Sequence, residues 1–171
     1  MFSTLAPIRA RVSPSSWLRI RTDRWCRMLD DLAERGRGDR EAGAFLLAER
    51  RAPNTVASWI AYDDLDPGCL TGGISFAGEA IGRLSQHCAT TGYLVLGDVH
   101  THPGPCVAQS SIDRANPMLS KKGHIALIVP NYALEAPALA SIGVHRYLGG
   151  RHWDTRLGRE AADVMYIGWL A

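Results

Sequence analysis

His100-Thr101-His102-Pro103-Gly104-Pro105-Cys106-Val107-Ala108-Gln109-Ser110-Ser111-Ile112-Asp113 is the stretch that decides how this chain is read. It carries two of the six histidines, one residue apart, soon after the apolar run Tyr93-Leu94-Val95-Leu96. In a strand, residues i and i+2 point to one face, so His100 and His102 present two imidazoles to one point in space. Pro103 and Gly104 end the strand, and Ser110 and Asp113, three apart, share one face of a helix's first turn. Asp113 can then return as a third donor. Two imidazoles and a carboxylate leave one position of a tetrahedral zinc site open to water, which is the catalytic pattern, whereas a structural site uses a fourth protein ligand. Zinc lowers the pKa of a water it binds from about 16 to about 7, but a general base must still move the proton to a leaving amine. A further carboxylate is therefore required.

An H-x-H pair by itself is as often one core and one surface histidine. Asp113 and an upstream glutamate separate the two readings. Asp98 shares the period-two face of the histidines, either to hydrogen-bond a ligand or as a solvated strand aspartate. Cys106 is the competing soft ligand, ranked below the aspartate. His87, His124, His145 and His152 show no partner pattern, so core or surface placement is the expectation for each.

Working outward, residues 15–21 read as a short strand, and Trp25, Met28, Leu29 and Leu32 fall at i, i+3, i+4 and i+7 of a helix over 23–35. Thr22 or Asp23 is the expected N-cap, and Gly36 and Gly38 the stop. Glu41 to Ala48 reads as a strand buried on both faces, with Thr55 to Tyr62 as its neighbour across the Pro53-Asn54 turn. A Gly/Pro-rich passage at 67–73 precedes a helix over 78–90 with Ile81, Leu84 and Cys88 on one face. Tyr93 to Leu96 is a buried strand, and Ser110 to Leu119 reads as a short helix. Ile125 to Val129, Ala140 to Tyr147 and Val164 to Trp169 supply later strands. Strands and helices interleave around one mixed sheet flanked by helices, an α/β or α+β sandwich.

The 171 residues, 46% apolar and 21% charged, suit one globular domain over 1–171, with 1–14 expected as a flexible N-terminal segment. Arg9, Arg11, Arg19 and Arg21 interrupt every apolar patch of the start, and no later run reaches membrane-span length, so a cytoplasmic protein without a membrane partner is expected. Four scattered cysteines without a C-x-x-C pair read as reduced thiols. Eleven of the seventeen arginines lie in the first 51 residues against seven acids. With no nucleic-acid reading motif, this is a solvated basic surface that can also meet an acidic protein partner.

H-x-H-P, a short loop, then S-x-x-D, preceded by a glutamate that opens an apolar strand after the first helix, resembles the JAMM (MPN-plus, JAB-domain) metallopeptidases, and among them the bacterial stand-alone JAB type. The resemblance runs from the helix at 23–35 to the strand at 125–129. It implies a JAB/MPN fold, a sandwich related to that of the cytidine deaminases, with one zinc per chain held by His100, His102 and Asp113. It also implies Ser110 as oxyanion donor and Glu41 as general base. Glu34, Glu49 and Glu79 also precede the histidines, but only Glu41 heads the buried strand. Gln109 stands where the family often has proline, and Ala44 where glycine is common, with Gly43 one place earlier.

The implied activity is zinc-dependent hydrolysis of the amide or isopeptide bond at the C-terminus of a ubiquitin-like protein. That tail and its conjugates are the implied partners, with E1- and E2-like proteins of a bacterial conjugation or antiviral defence operon. Tails of sulfur-carrier proteins and a non-catalytic MPN scaffold are the alternatives. A nucleobase deaminase is disfavoured, because Pro105-Cys106 is not followed by a second cysteine and there is no H-x-E.

Overall fold

The computed structural model describes residues 16–70, 74, 76 and 78–171. The N-terminal segment 1–14 and part of the Gly/Pro-rich passage lie outside the described residues. The elements in chain order are β1 (Leu18–Ile20), α1 (Thr22–Gly36), β2 (Gly43–Ala48), β3 (Val56–Ala61), α2 (Tyr62–Leu65), α3 (Gly78–Thr91) and β4 (Leu94–Thr101). Then follow α4 (Ser111–Ala115), β5 (Ile125–Val129), 3-10 turns at Asn131–Ala133 and Leu139–Ser141, β6 (Gly143–Gly149), β7 (His152–Arg156), α5 (Arg159–Val164) and β8 (Met165–Ile167).

The main sheet has six strands in the order β3-β2-β4-β5-β6-β7, and β1 and β8 form a separate parallel pair. Only β4 and β5 run parallel within the six; every other pairing is antiparallel. The fold is thus a mixed sheet flanked by helices. Its strictly alternating strand is β2, whose six residues are all buried. Ala44 and Leu46 face α1 and pack with Trp25, Met28, Leu29, Leu32, Val99 and Leu127. Phe45 and Leu47 face the other way, toward Tyr62 and toward Ala80 and Leu84 of α3. Close approaches around β2 and β4 require glycine. A Cβ at Gly97 would lie 2.0 Å from the Ile125 carbonyl oxygen, and one at Gly43 would lie 2.3 Å from the Tyr62 ring.

Several sequence expectations are corrected. The strand read at 15–21 covers only Leu18–Ile20 and pairs with β8 outside the main sheet. Arg21, in extended conformation and without a side-chain cap, takes the N-cap position of α1 in place of Thr22 or Asp23. At the other end Gly36 stays helical, and Arg37 takes the left-handed closing conformation at φ 53°, its N–H donating to the Ala33 carbonyl. The helix read over 110–119 stops at Ala115, because Asn116 precedes Pro117 and a residue before proline is driven out of helical conformation. Val164 ends the helix α5 rather than opening a strand, and β8 is only three residues long. The strand β7 was not foreseen. Its signal is the Gly149-Gly150 pair after a strand, a hairpin turn composition.

All four cysteines are free thiols. Among the described residues no helix is long and apolar enough to cross a membrane. Arg21, Arg27, Arg35 and Arg51 of the arginine-rich first part are ion-paired with nearby acids.

Candidate metal centre

The parallel pair β4–β5 forces the chain to cross over between its strands, and the segment that does so, 102–124, carries the loop and α4. The centre therefore lies beyond the carboxyl end of β4, where open α/β sheets place their ligands. His100 and Thr101 close that strand, and His102 extends it by one further bond, its N–H donating to the Val129 carbonyl at 2.9 Å.

Ser110 is the N-cap of α4 and Asp113 its third helical residue. The Asp113 N–H donates to Ser110 Oγ at 3.1 Å, and the Ser110 N–H donates to Asp113 Oδ2 at 2.8 Å. This reciprocal pair is a capping box, here closed by aspartate instead of the usual glutamate. It fixes the carboxylate beside the histidines. His100 Nε2 and His102 Nε2 are 3.3 Å apart, His102 Nε2 is 3.6 Å from Asp113 Oδ2, and His100 Nε2 is 4.0 Å from Asp113 Oδ1. One donor atom from each of the three residues lies within 4.8 Å of the others.

The donor set fits a cation on its own chemistry. His102 Nδ1 donates to the Cys106 carbonyl at 2.9 Å, which leaves Nε2 as the ring's lone-pair atom. That lone pair faces the second imidazole and a carboxylate, a convergence of acceptors that a positive ion relieves. The charge balance points the same way. Burial pushes the Asp113 carboxyl up, but His102, His100 and Ser110 outweigh it and hold the group well below the usual carboxylate range. Burial lowers His102, yet Asp113, the Cys106 carbonyl and the charge of Glu41 together raise it.

Glu41 lies just before β2. Gly43 is registered against His100, and the Thr101 N–H donates to the Ala42 carbonyl at 2.9 Å. Carried past the strand ends, this register leads Glu41 toward His102, and the Glu41 charge acts on that ring. Its side chain is half-buried. The structure thus brings His100, His102 and Asp113 together, sets Ser110 on the same helix turn as Asp113, and leads Glu41 toward His102.

Asp98 is not a solvated strand residue. It is 1% exposed and lies under His100, with Tyr62 Oη–H donating to its Oδ2 at 2.9 Å and His124 Nε2 bonded to its Oδ1 at 2.5 Å. Burial alone would raise its pKa, but the imidazoles of His100 and His124 overcome this and bring it down to about 2. Tyr62 and His124 escaped the sequence reading, since nothing in their local pattern announces a partner. His124 was findable in principle, because it heads the strand that neighbours the histidine-bearing one.

The loop between His102 and Ser110 owes its shape to bonds rather than to a proline at 109. Three carbonyls are held: Gly104 by the Asn131 N–H at 3.2 Å, Cys106 by His102, and Val107 by His145 Nε2–H at 3.0 Å. Cys106 is exposed and contributes its carbonyl, not its sulfur. His145 is fully buried, its Nδ1 accepting from the Thr155 hydroxyl at 3.0 Å. On the other side Asn131, Tyr132 and Ala133 all adopt positive φ, 54° to 57°, and this turn aims the Tyr132 N–H at the His102 carbonyl, 2.9 Å away. Left-handed backbone at three successive non-glycine residues is costly, and its position against a candidate ligand is where such strain tends to collect.

No protein-family profile matches the chain. Among solved structures it is similar to a solution structure of a Desulfitobacterium hafniense protein, 16% identical, with TM-score 0.59 over 88% of this chain and 92% of that one. A JAB1/MPN domain protein from Archaeoglobus fulgidus matches at 19% identity and TM-score 0.47, over 79% of this chain and 92% of that one. A Salinibacter ruber protein matches at 20% identity and TM-score 0.49, over 80% and 87%. The first of these likenesses shows a shared fold along most of both chains.

Proposed function

We propose that this chain is a zinc-dependent peptidase of the JAB/MPN type that hydrolyses the amide or isopeptide bond at the C-terminal tail of a ubiquitin-like protein. The observation that carries the reading is the convergence of His100 Nε2, His102 Nε2 and one Asp113 carboxylate oxygen within 4.8 Å, at a strand end facing the loop and α4. The sequence pattern H-x-H-P then S-x-x-D, with Glu41 at the head of β2, supplies the family.

His100, His102 and Asp113 would hold the metal. When bound, zinc supplies a Lewis acid and a water acidic enough to ionise near neutral pH. Glu41 takes a proton at its carboxylate and returns it to the leaving nitrogen. Ser110 Oγ already accepts the Asp113 N–H and still has its own hydrogen to donate, so it can bond the carbonyl oxygen of the scissile bond as charge develops there. The substrate tail is extended, and main-chain pairing beside the site is the recognition mode that such a tail permits.

The test is incubation of the purified chain with a ubiquitin-like protein fused to a short C-terminal extension, with and without chelator. Release of the extension at the end of the tail, stopped by chelator, supports the reading. A sulfur-carrier tail in the same format distinguishes that alternative. Binding of the tail with no cleavage of any fusion and no metal in the protein would favour the scaffold instead. Cytoplasmic residence, and E1- and E2-like partners from the same operon, belong to this proposal.

A further inference from the structure

We propose that Asp98 is a positioning residue, which turns the His100 ring so that Nδ1–H faces the carboxylate and Nε2 faces His102 and Asp113. The inference deepens the metal-site reading and rests on it.

A carboxylate that is 1% exposed is expensive to bury. Its two oxygens are held from two different elements, Oδ2 by the Tyr62 hydroxyl of α2 and Oδ1 by His124 ahead of β5. Tyr62 is in turn wedged between Phe45 and Phe76, with ring centroids at 5.0 and 4.8 Å, and Gly43 leaves it the space it needs. The carboxylate therefore cannot rotate independently. Above it, His100 Nδ1 is buried and has no hydrogen-bond partner, and Asp98 Oδ2 is the charged atom facing it, at 3.6 Å.

Two tautomers of neutral His100 are available. With the proton on Nε2, the ring would donate across 3.3 Å to His102 Nε2 and point a buried lone pair at a carboxylate. With the proton on Nδ1, the ring points its N–H at Asp98 and its lone pair into the donor set. The fixed negative charge selects the second. A carboxylate behind a ligating imidazole also fixes the ring's orientation and raises its basicity as a ligand.

The experiment uses the full chain, nitrogen-15 labelled and stripped of metal, with long-range proton–nitrogen correlation of the imidazole rings well above the ordinary histidine range. The wild-type chain should show Nδ1–H at His100, and Asp98→Asn should lose that preference. Zinc affinity, measured by competition with a chromophoric chelator, should fall about 10- to 100-fold in Asp98→Asn. Tyr62→Phe, which keeps the carboxylate and its His124 bond, should keep Nδ1–H at His100 and lose less zinc affinity than Asp98→Asn. Nε2–H at His100 in the metal-free wild-type chain overturns the proposal even if Asp98→Asn fails to fold, and so does equal zinc affinity in wild type and Asp98→Asn. A wild-type chain with Nδ1–H at His100 that takes up no zinc upholds the orientation and overturns the peptidase reading.

Discussion

His145, on β6, holds the loop between the histidine pair and Ser110 by donating from Nε2 to the Val107 carbonyl at 3.0 Å, and Gly143 clears the way, since a Cβ there would meet the same oxygen at 2.1 Å. In the neutral ring Nε2 carries the hydrogen donated to Val107, and Nδ1 accepts from the Thr155 hydroxyl. Burial lowers His145 to about 4 from 6.5, with the Val107 carbonyl opposing the shift.

Between those two values the unfolded chain binds more protons than the folded one, so stability falls as pH falls. The contribution is complete above about 6.5 and is lost once pH has dropped through about 4. A shift of this size corresponds to about 3 kcal/mol. Urea unfolding should show wild type losing about that much more stability than His145→Gln between these pH values, since glutamine does not titrate. Parallel pH profiles for the two proteins would refute burial of His145 as a neutral ring.

Ser110→Ala separates capping from chemistry. The backbone half of the box, Ser110 N–H to Asp113 Oδ2, survives the substitution, so metal content should hold while α4 loses about 1 kcal/mol of cap stabilisation. Cleavage should drop about a hundred- to a thousand-fold, the cost of one oxyanion donor. Zinc content and rate on the same preparation decide it, and an alanine variant with a native rate removes the oxyanion role.

Glu41→Gln keeps shape and leaves the three ligands untouched. Zinc should stay, tail binding should be largely kept, and cleavage should fall about a hundred- to ten-thousand-fold. A near-native rate would move the base to another carboxylate, with Glu34, Glu49 and Glu79 as the candidates. Loss of zinc would make Glu41 a ligand or a folding residue.

Gly43→Ala should damage both fold and centre, because the added methyl meets Tyr62 at 2.3 Å and the Val99 carbonyl oxygen at 2.7 Å. Overpacking of this kind costs about 1–3 kcal/mol. The shift in urea midpoint at unchanged slope measures it. A midpoint equal to wild type would mean that Tyr62 can retreat, and would weaken the rigid seat assigned to Asp98.

The elements legible in the sequence are those whose pattern is local. The period of Trp25, Met28, Leu29 and Leu32 marks α1, and the apolar runs at 43–48 and 125–129 mark β2 and β5. The H-x-H spacing and the three-residue step from Ser110 to Asp113 were legible for the same reason, since period two and the helix turn are properties of short segments. What could not be read depends on distant pairing. Tyr62 and His124 reach Asp98 from 36 and 26 residues away. Val107 meets His145 across 38 residues, and β1 finds β8 from the other end of the described chain. Neither composition nor period encodes such contacts, so the candidate ligands are visible in the sequence and their supports are not.

Zinc per chain, measured by elemental analysis, is the most direct test of the three converging donors. Wild type purified without added chelator should contain one zinc per chain, and the His100→Ala, His102→Ala double variant should contain none while retaining the circular dichroism of a folded protein. Full zinc occupancy in the double variant, or a folded wild-type chain that takes up no zinc when it is supplied, would contradict the account.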